Sequence, residues 1–334
     1  MNRSMCAYAA SPDRRRLLVS ALVALTQPWI ARAQGKNARV SVLASSSEAN
    51  FGPSVAVFRD ALKKANWVER QNLALDVRYS ERYEQLPALM AGLLALRPDV
   101  IVSLGTPATE AAKRATTTIP IVMETLADAV ATGLVPNLAR PGGNVTGVSG
   151  FAPQLSGKRL ELIHELLPDA SRIAILANLA NESTAPVIHA AESAAPQMRM
   201  RLSTVDIRGP EELSTAFDSM VRAHTDAFIL AADPMLFTQI RDIISLAARR
   251  RLPGVYETRR FAEAGGLLSY GPLTHERFSQ LAGYVDRILR GARPGDLPIE
   301  QAQTFELVLN AKTAEALGLR FPPALRLRAD FVIE

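Results

Sequence analysis

The sequence predicts an α/β fold built as two similar lobes, each a parallel sheet wrapped by helices, with a cleft between them. Three observations lead there. Short β-branched runs alternate with helical stretches, the pattern of strand–helix–strand units. The series occurs twice, once before about Gly150 and once after it. Partners in the two series are offset by about 120 to 135 residues, too long for a stacked repeat and right for a second copy of one lobe.

The first series reads Val40–Ala44, Leu73–Tyr79, Val100–Leu104, Ile119–Glu124 and Val145–Val148; the second reads Ile173–Ala177, Met200–Asp206, Ala227–Ala231, Leu252–Tyr256 and Gly266–Tyr270. Helices lie between them. Glu84 to Leu96 sets Leu86, Leu89, Met90, Leu93 and Leu94 on one face, Leu155 to Leu167 repeats the pattern with Leu160, Ile163, Leu166 and Leu167, and Ile240, Ile243, Ile244 and Ala247 follow it. Charged residues on the opposite faces suit helices that cover a sheet.

The chain starts differently. Arg14-Arg15-Arg16 precedes the apolar run Leu17 to Leu25, and Ala31-Arg32-Ala33 supplies a small-x-small cleavage pattern. Residues 1–33 therefore read as a signal peptide for export to the periplasm, by the twin-arginine or the general secretory route. That leader holds Arg3, Arg14, Arg15, Arg16 and Arg32 against Asp13. Of 38 basic and 33 acidic residues the mature chain thus keeps 33 and 32, a balance of about +1. The basic character belongs to the leader, and no dense basic stripe survives to support a nucleic-acid partner. The only cysteine, Cys6, lies in the leader too, so the mature chain has no disulfide to form.

The seam between the lobes is marked by Arg140-Pro141-Gly142-Gly143-Asn144 and Ser149-Gly150-Phe151-Ala152-Pro153. About 60 residues follow the second series, too many for a tail. The helix-like Glu276–Leu289 and the segment Phe305–Leu317 are expected to return across the cleft, giving several crossings and hence a hinge. The expected division is residues 36–150 with about 272–300 in the first Rossmann-like lobe, and 151–271 with about 301–334 in the second.

Ligands of open parallel sheets bind beyond the carboxyl ends of the strands. After the third strand of each series stands a short cap followed by proline, Thr106-Pro107-Ala108 and Asp233-Pro234. Thr106 at a helix start suits an anion, and the extra carboxylate of Asp233 suits a cation, the pair a zwitterion requires. After the first strand, Ser45 with Glu48 reads as a capping box, with Ser46 and Ser47 as further donors. Glu124, Asp128, Asn178, Tyr256 and Tyr270 at other strand ends complete the candidate site, although each also reads as ordinary capping or core packing.

Catalytic signatures are absent. No Gly-x-Gly-x-x-Gly follows the first strand, Gly157-Lys158-Arg159 lacks the remainder of a P-loop, and Gly147-Val148-Ser149-Gly150-Phe151 fails the nucleophile-elbow spacing. His164, His189, His224 and His275 have no partners at metal-ligand spacing, so no cofactor or metal is expected.

Several segments together carry a resemblance: Tyr83-Glu84-Gln85-Leu86-Pro87, Gly105-Thr106-Pro107-Ala108, Arg140 to Val148, Lys158-Arg159-Leu160-Glu161-Leu162, Ala232-Asp233-Pro234, Phe261 to Gly271 and Phe305 to Asn310. Across nearly all of its mature length the chain resembles the TrpX-like substrate-binding proteins of ABC transporters, of the type 1 periplasmic binding protein fold. The resemblance implies a non-enzymatic receptor that captures a small molecule between its lobes, an amino acid or related carboxylate, and presents it to a membrane permease. Two departures, Asp128-Ala129-Val130 for the usual Asp-Pro-Val and Asn178-Leu179 for Asn-Pro, fall at ligand-facing loops, so another member's ligand does not carry over on resemblance alone. A ligand-sensing module for a membrane receptor would share the fold. A two-lobed sugar-nucleotide enzyme would too, but would need a base or glycine loop that is absent.

Overall fold

The computed structural model describes residues 37–334, apart from residues 81, 151 and 302–303 and the side chains of residues 152–154 and 274–276. The leader of residues 1–33 lies outside the described residues. The strands are β1 (Ala38–Ala44), β2 (Leu73–Tyr79), β3 (Val100–Leu104), β4 (Ile121–Glu124), β5 (Val145–Ser149), β6 (Arg172–Ala177), β7 (Arg201–Asp206), β8 (Ala227–Leu230), β9 (Gly254–Tyr256), β10 (Leu268–Pro272), β11 (Glu300–Gln301), β12 (Phe305–Asn310) and β13 (Phe331–Ile333). The helices are α1 (Glu48–Lys64), α2 (Leu86–Ala95), α3 (Thr106–Ala115), α4 (Ala152–Leu166), α5 (Thr184–Ala194), α6 (Leu213–Arg222), α7 (Pro234–Thr238), α8 (Ile240–Arg249), α9 (Arg259–Glu263), α10 (Thr274–Leu289), α11 (Ala311–Leu317) and α12 (Pro323–Arg328).

Two sheets result. The first runs β11-β5-β4-β3-β1-β2, parallel at every pairing. The second runs β13-β12-β10-β9-β8-β6-β7, parallel except where β12 meets β10. The expected repeat is present in both: β2-β1-β3-β4-β5 and β7-β6-β8-β9-β10 share one strand order, the flavodoxin-like order of doubly wound folds. One departure from the expected strand limits is paired between the two series. Pro120 and Pro253 have no N–H for the ladder, so β4 and β9 each begin one residue after a proline. Each proline carbonyl still accepts from the neighbouring strand, Ile101 N at 2.8 Å and Phe228 N at 2.9 Å.

Helices cover both faces of each sheet. Phe58 and Leu62 of α1 and Phe278, Leu281, Val285 and Ile288 of α10 fill one face of the first sheet, while Leu86, Met90 and Leu93 of α2 fill the other with Ala108 and Ala112 of α3. Leu160, Ile163 and Leu166 of α4 and Phe217 of α6 do the same on opposite faces of the second sheet. Each of the leucine, isoleucine, valine, phenylalanine and methionine side chains among them contributes about 1.5–3 kcal/mol of hydrophobic stabilisation when fully buried. The chain passes between sheets three times, after β5, between β10 and α10, and between β11 and β12. The segment Phe305–Leu317 divides at Asn310, whose side chain accepts from Thr313 N at 3.0 Å and starts α11 where β12 ends.

Candidate functional site

In each sheet the strand order reverses beside the first strand of its series, between β1 and β3 and between β6 and β8, and a crevice opens beyond the carboxyl ends there. The two crevices face one another. Between them lies a cavity of about 340 Å³, lined from the first sheet's side by Asn50, Phe51, Gly105, Thr106, Glu124, Thr125, Arg277 and Phe278, and from the second's by Asn181, Ser183, Asp233, Pro234, Phe237 and Arg260. That volume falls within the range of about 300–1,000 Å³ common to small-molecule pockets.

Of the candidates named from sequence, Thr106, Glu124 and Asp233 line this cavity. Thr106 does not cap its helix: Gly105 is the N-cap, at φ +90°, and Thr106 is the first helical residue, its Oγ1 2.6 Å from Thr125 Oγ1. Asp233 is the cap of α7, as expected, with Oδ1 accepting from Met235 N at 2.9 Å and Leu236 N at 3.1 Å. Its Oδ2 accepts from Asn181 Nδ2 at 2.9 Å and from the Tyr83 hydroxyl at 2.7 Å. Four donors fill the acceptor positions of one carboxylate, which leaves none for a ligand ammonium. Burial pushes the Asp233 carboxyl above the usual carboxylate range, and the surrounding donors oppose that rise.

The other candidates do structural work. The capping box at the start of α1 does not form: Ser47 stands at the N-cap without a side-chain bond, Ser45 Oγ donates to Leu104 O at 2.9 Å, and Ser46 Oγ donates to Pro234 O at 3.0 Å. Ser47 borders an adjoining hollow with Thr238 and Arg241, which shares Asn50, Phe237 and Arg260 with the cavity. Pro107 and Ala108 are buried in α3. Asp128 Oδ1 closes a turn on Val130 N and Ala131 N, and Asn178 Oδ1 closes another on Ala180 N. Tyr256 is a core residue, stacked on Phe261 with ring centroids 5.0 Å apart, and Tyr270 stacks on Phe305.

The sequence reading missed a buried cation in the cavity. Arg277 of α10 is 2% exposed and pairs through Nη2 with Glu124 Oε1 at 2.7 Å, the same nitrogen donating to Thr125 O. Its Nε makes no hydrogen bond, one of few buried polar side-chain atoms among the described residues in that state. The signal was available: Arg277 sits on the stripe Leu281, Tyr284, Val285, Ile288, where the helical period calls for an apolar residue. Phe51, Phe237 and Phe278 add three aromatic surfaces to the cavity, and Arg260 Nη1 bridges to Asn50 Oδ1 across it. Burial lowers the pKa of Arg260.

Residues 39–333 match the family of ABC transporter substrate binding proteins. The chain belongs to this family. A tyrosine-binding protein of Clostridioides difficile (strain R20291) is 24% identical over 265 residues, 79% of this chain and 76% of that protein. A conserved domain protein of Vibrio cholerae O1 biovar El Tor superposes with a TM-score of 0.84 at 27% identity, over 89% of this chain and 100% of the other. An ABC domain of Streptococcus pneumoniae in complex with L-Trp superposes with a TM-score of 0.83 at 25% identity, again over 89% and 100%. The fold is that of the type 1 periplasmic binding proteins, and members of this substrate-binding family are binding proteins rather than enzymes.

For a substrate-binding protein the contacts between lobes matter as much as the cavity, and one of them is unfavourable at neutral pH. Glu110 of α3 stands beside Glu182 of the β6–α5 connection, and Glu110 Oε1 is buried without a hydrogen bond. Burial pushes the Glu110 carboxyl above its ordinary value, the Glu182 carboxylate adds to the rise, and Arg114, paired with Glu110 Oε2 at 2.9 Å, opposes it. A carboxyl with a raised pKa in the folded chain holds its proton where the unfolded chain has lost it, so this site gains stability as pH falls through the raised value. Glu110→Gln is therefore expected to raise the melting temperature at pH 7 and to leave it nearly unchanged near pH 4. A thermal melt series across that interval checks it, and a lower melting temperature at pH 7 would show that the exposed Arg114 pair outweighs the repulsion.

Proposed function

We propose that this chain is the extracytoplasmic solute receptor of an ABC importer and that it captures an apolar or aromatic amino acid in the cavity between its lobes. The observation that carries this reading is the buried Arg277–Glu124 pair set beside Phe51, Phe237 and Phe278 in a cavity walled by both lobes. A guanidinium suits the ligand's carboxylate, a carboxylate suits its ammonium, and phenyl rings suit an apolar side chain. The tyrosine-binding relative and the L-Trp complex support the same ligand class. Capture is a closure of the lobes about their three connections, with residues 36–150 and about 272–300 moving as one body and 151–271 with about 301–334 as the other. The leader read in residues 1–33 supports a periplasmic receptor, whose closed form would meet a membrane permease as its partner.

A thermal-shift series on the mature chain tests the ligand class. L-tryptophan, L-tyrosine, L-phenylalanine and L-leucine are compared with tryptamine, which lacks the carboxylate. A ligand present at 100 times its Kd stabilises the folded state by about 2.7 kcal/mol. At about 1.5–2 °C per kcal/mol for a chain of about 300 residues, that is a rise of about 4–5 °C. No rise with any amino acid, or an equal rise with tryptamine, would overturn the reading.

A further inference from the structure

Tyr83 does not line the cavity, yet it joins the lobes that form it. It opens the short 3-10 turn Tyr83–Gln85 ahead of α2, on the first lobe. Its half-buried ring packs against two cores at once, that of its own lobe with Leu86 and Met90 and that of the second lobe with Met235 and Leu236. Its hydroxyl supplies the one donor to Asp233 that comes from the other lobe; Met235 N, Leu236 N and Asn181 Nδ2 all belong to the second. Two neighbours bear on the same helix start. Ser46 Oγ reaches Pro234 O, and Gly105 comes so close that an added Cβ would lie 3.1 Å from Pro234 Cγ.

The geometry points to Tyr83 as a positioning residue for ligand capture: its bond to Asp233 docks the first lobe on the N-terminal turn of α7 and so sets affinity by one factor common to every ligand. The inference rests on the proposed receptor function. It goes further, in assigning part of the closing free energy to a contact that involves no ligand. The turn held in this way carries Pro234 and Phe237 into the cavity wall, so seating it completes the site. When the lobes part, water replaces the Tyr83 hydroxyl on Asp233, and the bond's net worth becomes a bias toward the open state. A ligand that enters the open form and is retained by the closed one then loses affinity through that bias, whatever its own contacts.

The test is Tyr83→Phe, which keeps the ring and removes the hydroxyl. The mature chain has no cysteine, so one cysteine can be placed at exposed Lys64 of the first lobe and one at exposed Arg222 of the second, and spin-labelled. In the ligand-free protein the variant should shift the interlobe distance distribution toward longer distances. Kd for L-tryptophan, L-tyrosine and L-leucine should rise by a shared factor of about tenfold, the size expected for a hydrogen bond to a charged group. The increase should appear in koff with kon nearly unchanged, and the melting temperature of the ligand-free chain should move little. An unchanged distance distribution would overturn the inference, and so would a change in the rank order of the three ligands, which would mean a direct ligand contact. Should none of these amino acids bind the wild-type chain while the variant still opens, the ligand class fails and the docking role of Tyr83 stands.

Discussion

Arg277→Met is expected to cost about 3–5 kcal/mol of folding stability, because it leaves Glu124 buried with its charge unpaired. At about 1.5–2 °C per kcal/mol the loss is visible in a thermal melt. The same substitution removes the one buried guanidinium that lines the cavity among the described residues, so ligand-induced stabilisation should disappear as well. Two companions separate the effects. Arg277→Met with Glu124→Gln should recover much of the stability, since no charge is stranded, but not the binding. Arg159→Met breaks a second buried pair, Arg159 Nη1 with Glu257 Oε1 at 2.8 Å, whose members do not line the cavity. Arg159 also donates through Nε and Nη2 to Tyr270 O, and with those bonds it ties α4 to β10 and to the residue that follows β9. Its loss should lower the melting temperature comparably and leave the ligand-induced rise intact. Retention of ligand-induced stabilisation in Arg277→Met would refute a role for Arg277 in the site.

Both arginines show what the sequence disclosed and what it hid. Short β-branched runs alternating with helical patterning revealed all ten strands of the repeated series, most plainly the inner strands β3, β4, β5 and β8, which are buried throughout. The cleft followed from the repeat. The walls of the cleft did not, because strand-end residues with the chemistry of ligands also have the chemistry of turns: Ser45, Asp128 and Asn178 are each taken up by local or neighbouring backbone groups. Asp233 was correctly read as a cap, but Tyr83, 150 residues away in sequence, fills the acceptor position that the ligand was expected to use. Arg159 and Arg277 were legible in principle, as charges standing on apolar helical stripes. Such a position marks a buried partner without saying whether that partner is structural or functional. Only the three-dimensional placement separates them, Arg159 behind the second sheet's strand ends and Arg277 in the cavity.

Gly105→Ala is expected to disable the receptor in two separable steps. The residue sits at φ +90° and ψ 153°, a region close to glycine-only, so any side chain there carries a backbone strain of about 1–3 kcal/mol. Its Cβ would lie 2.2 Å from Ser45 Oγ, and turning that hydroxyl away gives up its bond to Leu104 O, worth about 1 kcal/mol. These two costs fall on the first lobe whether the lobes are open or closed, so the ligand-free chain should melt lower by several degrees. The third contact, with Pro234 Cγ at 3.1 Å, exists only when the second lobe is docked, so it opposes closure and raises Kd beyond what lost stability explains. Adding Pro234→Ala removes that ring and nothing from the first lobe. The double variant should therefore regain affinity while keeping the lowered melting temperature. If affinity and melting temperature instead rise together, the Gly105 contact acts through the fold of the lobe and not through its docking.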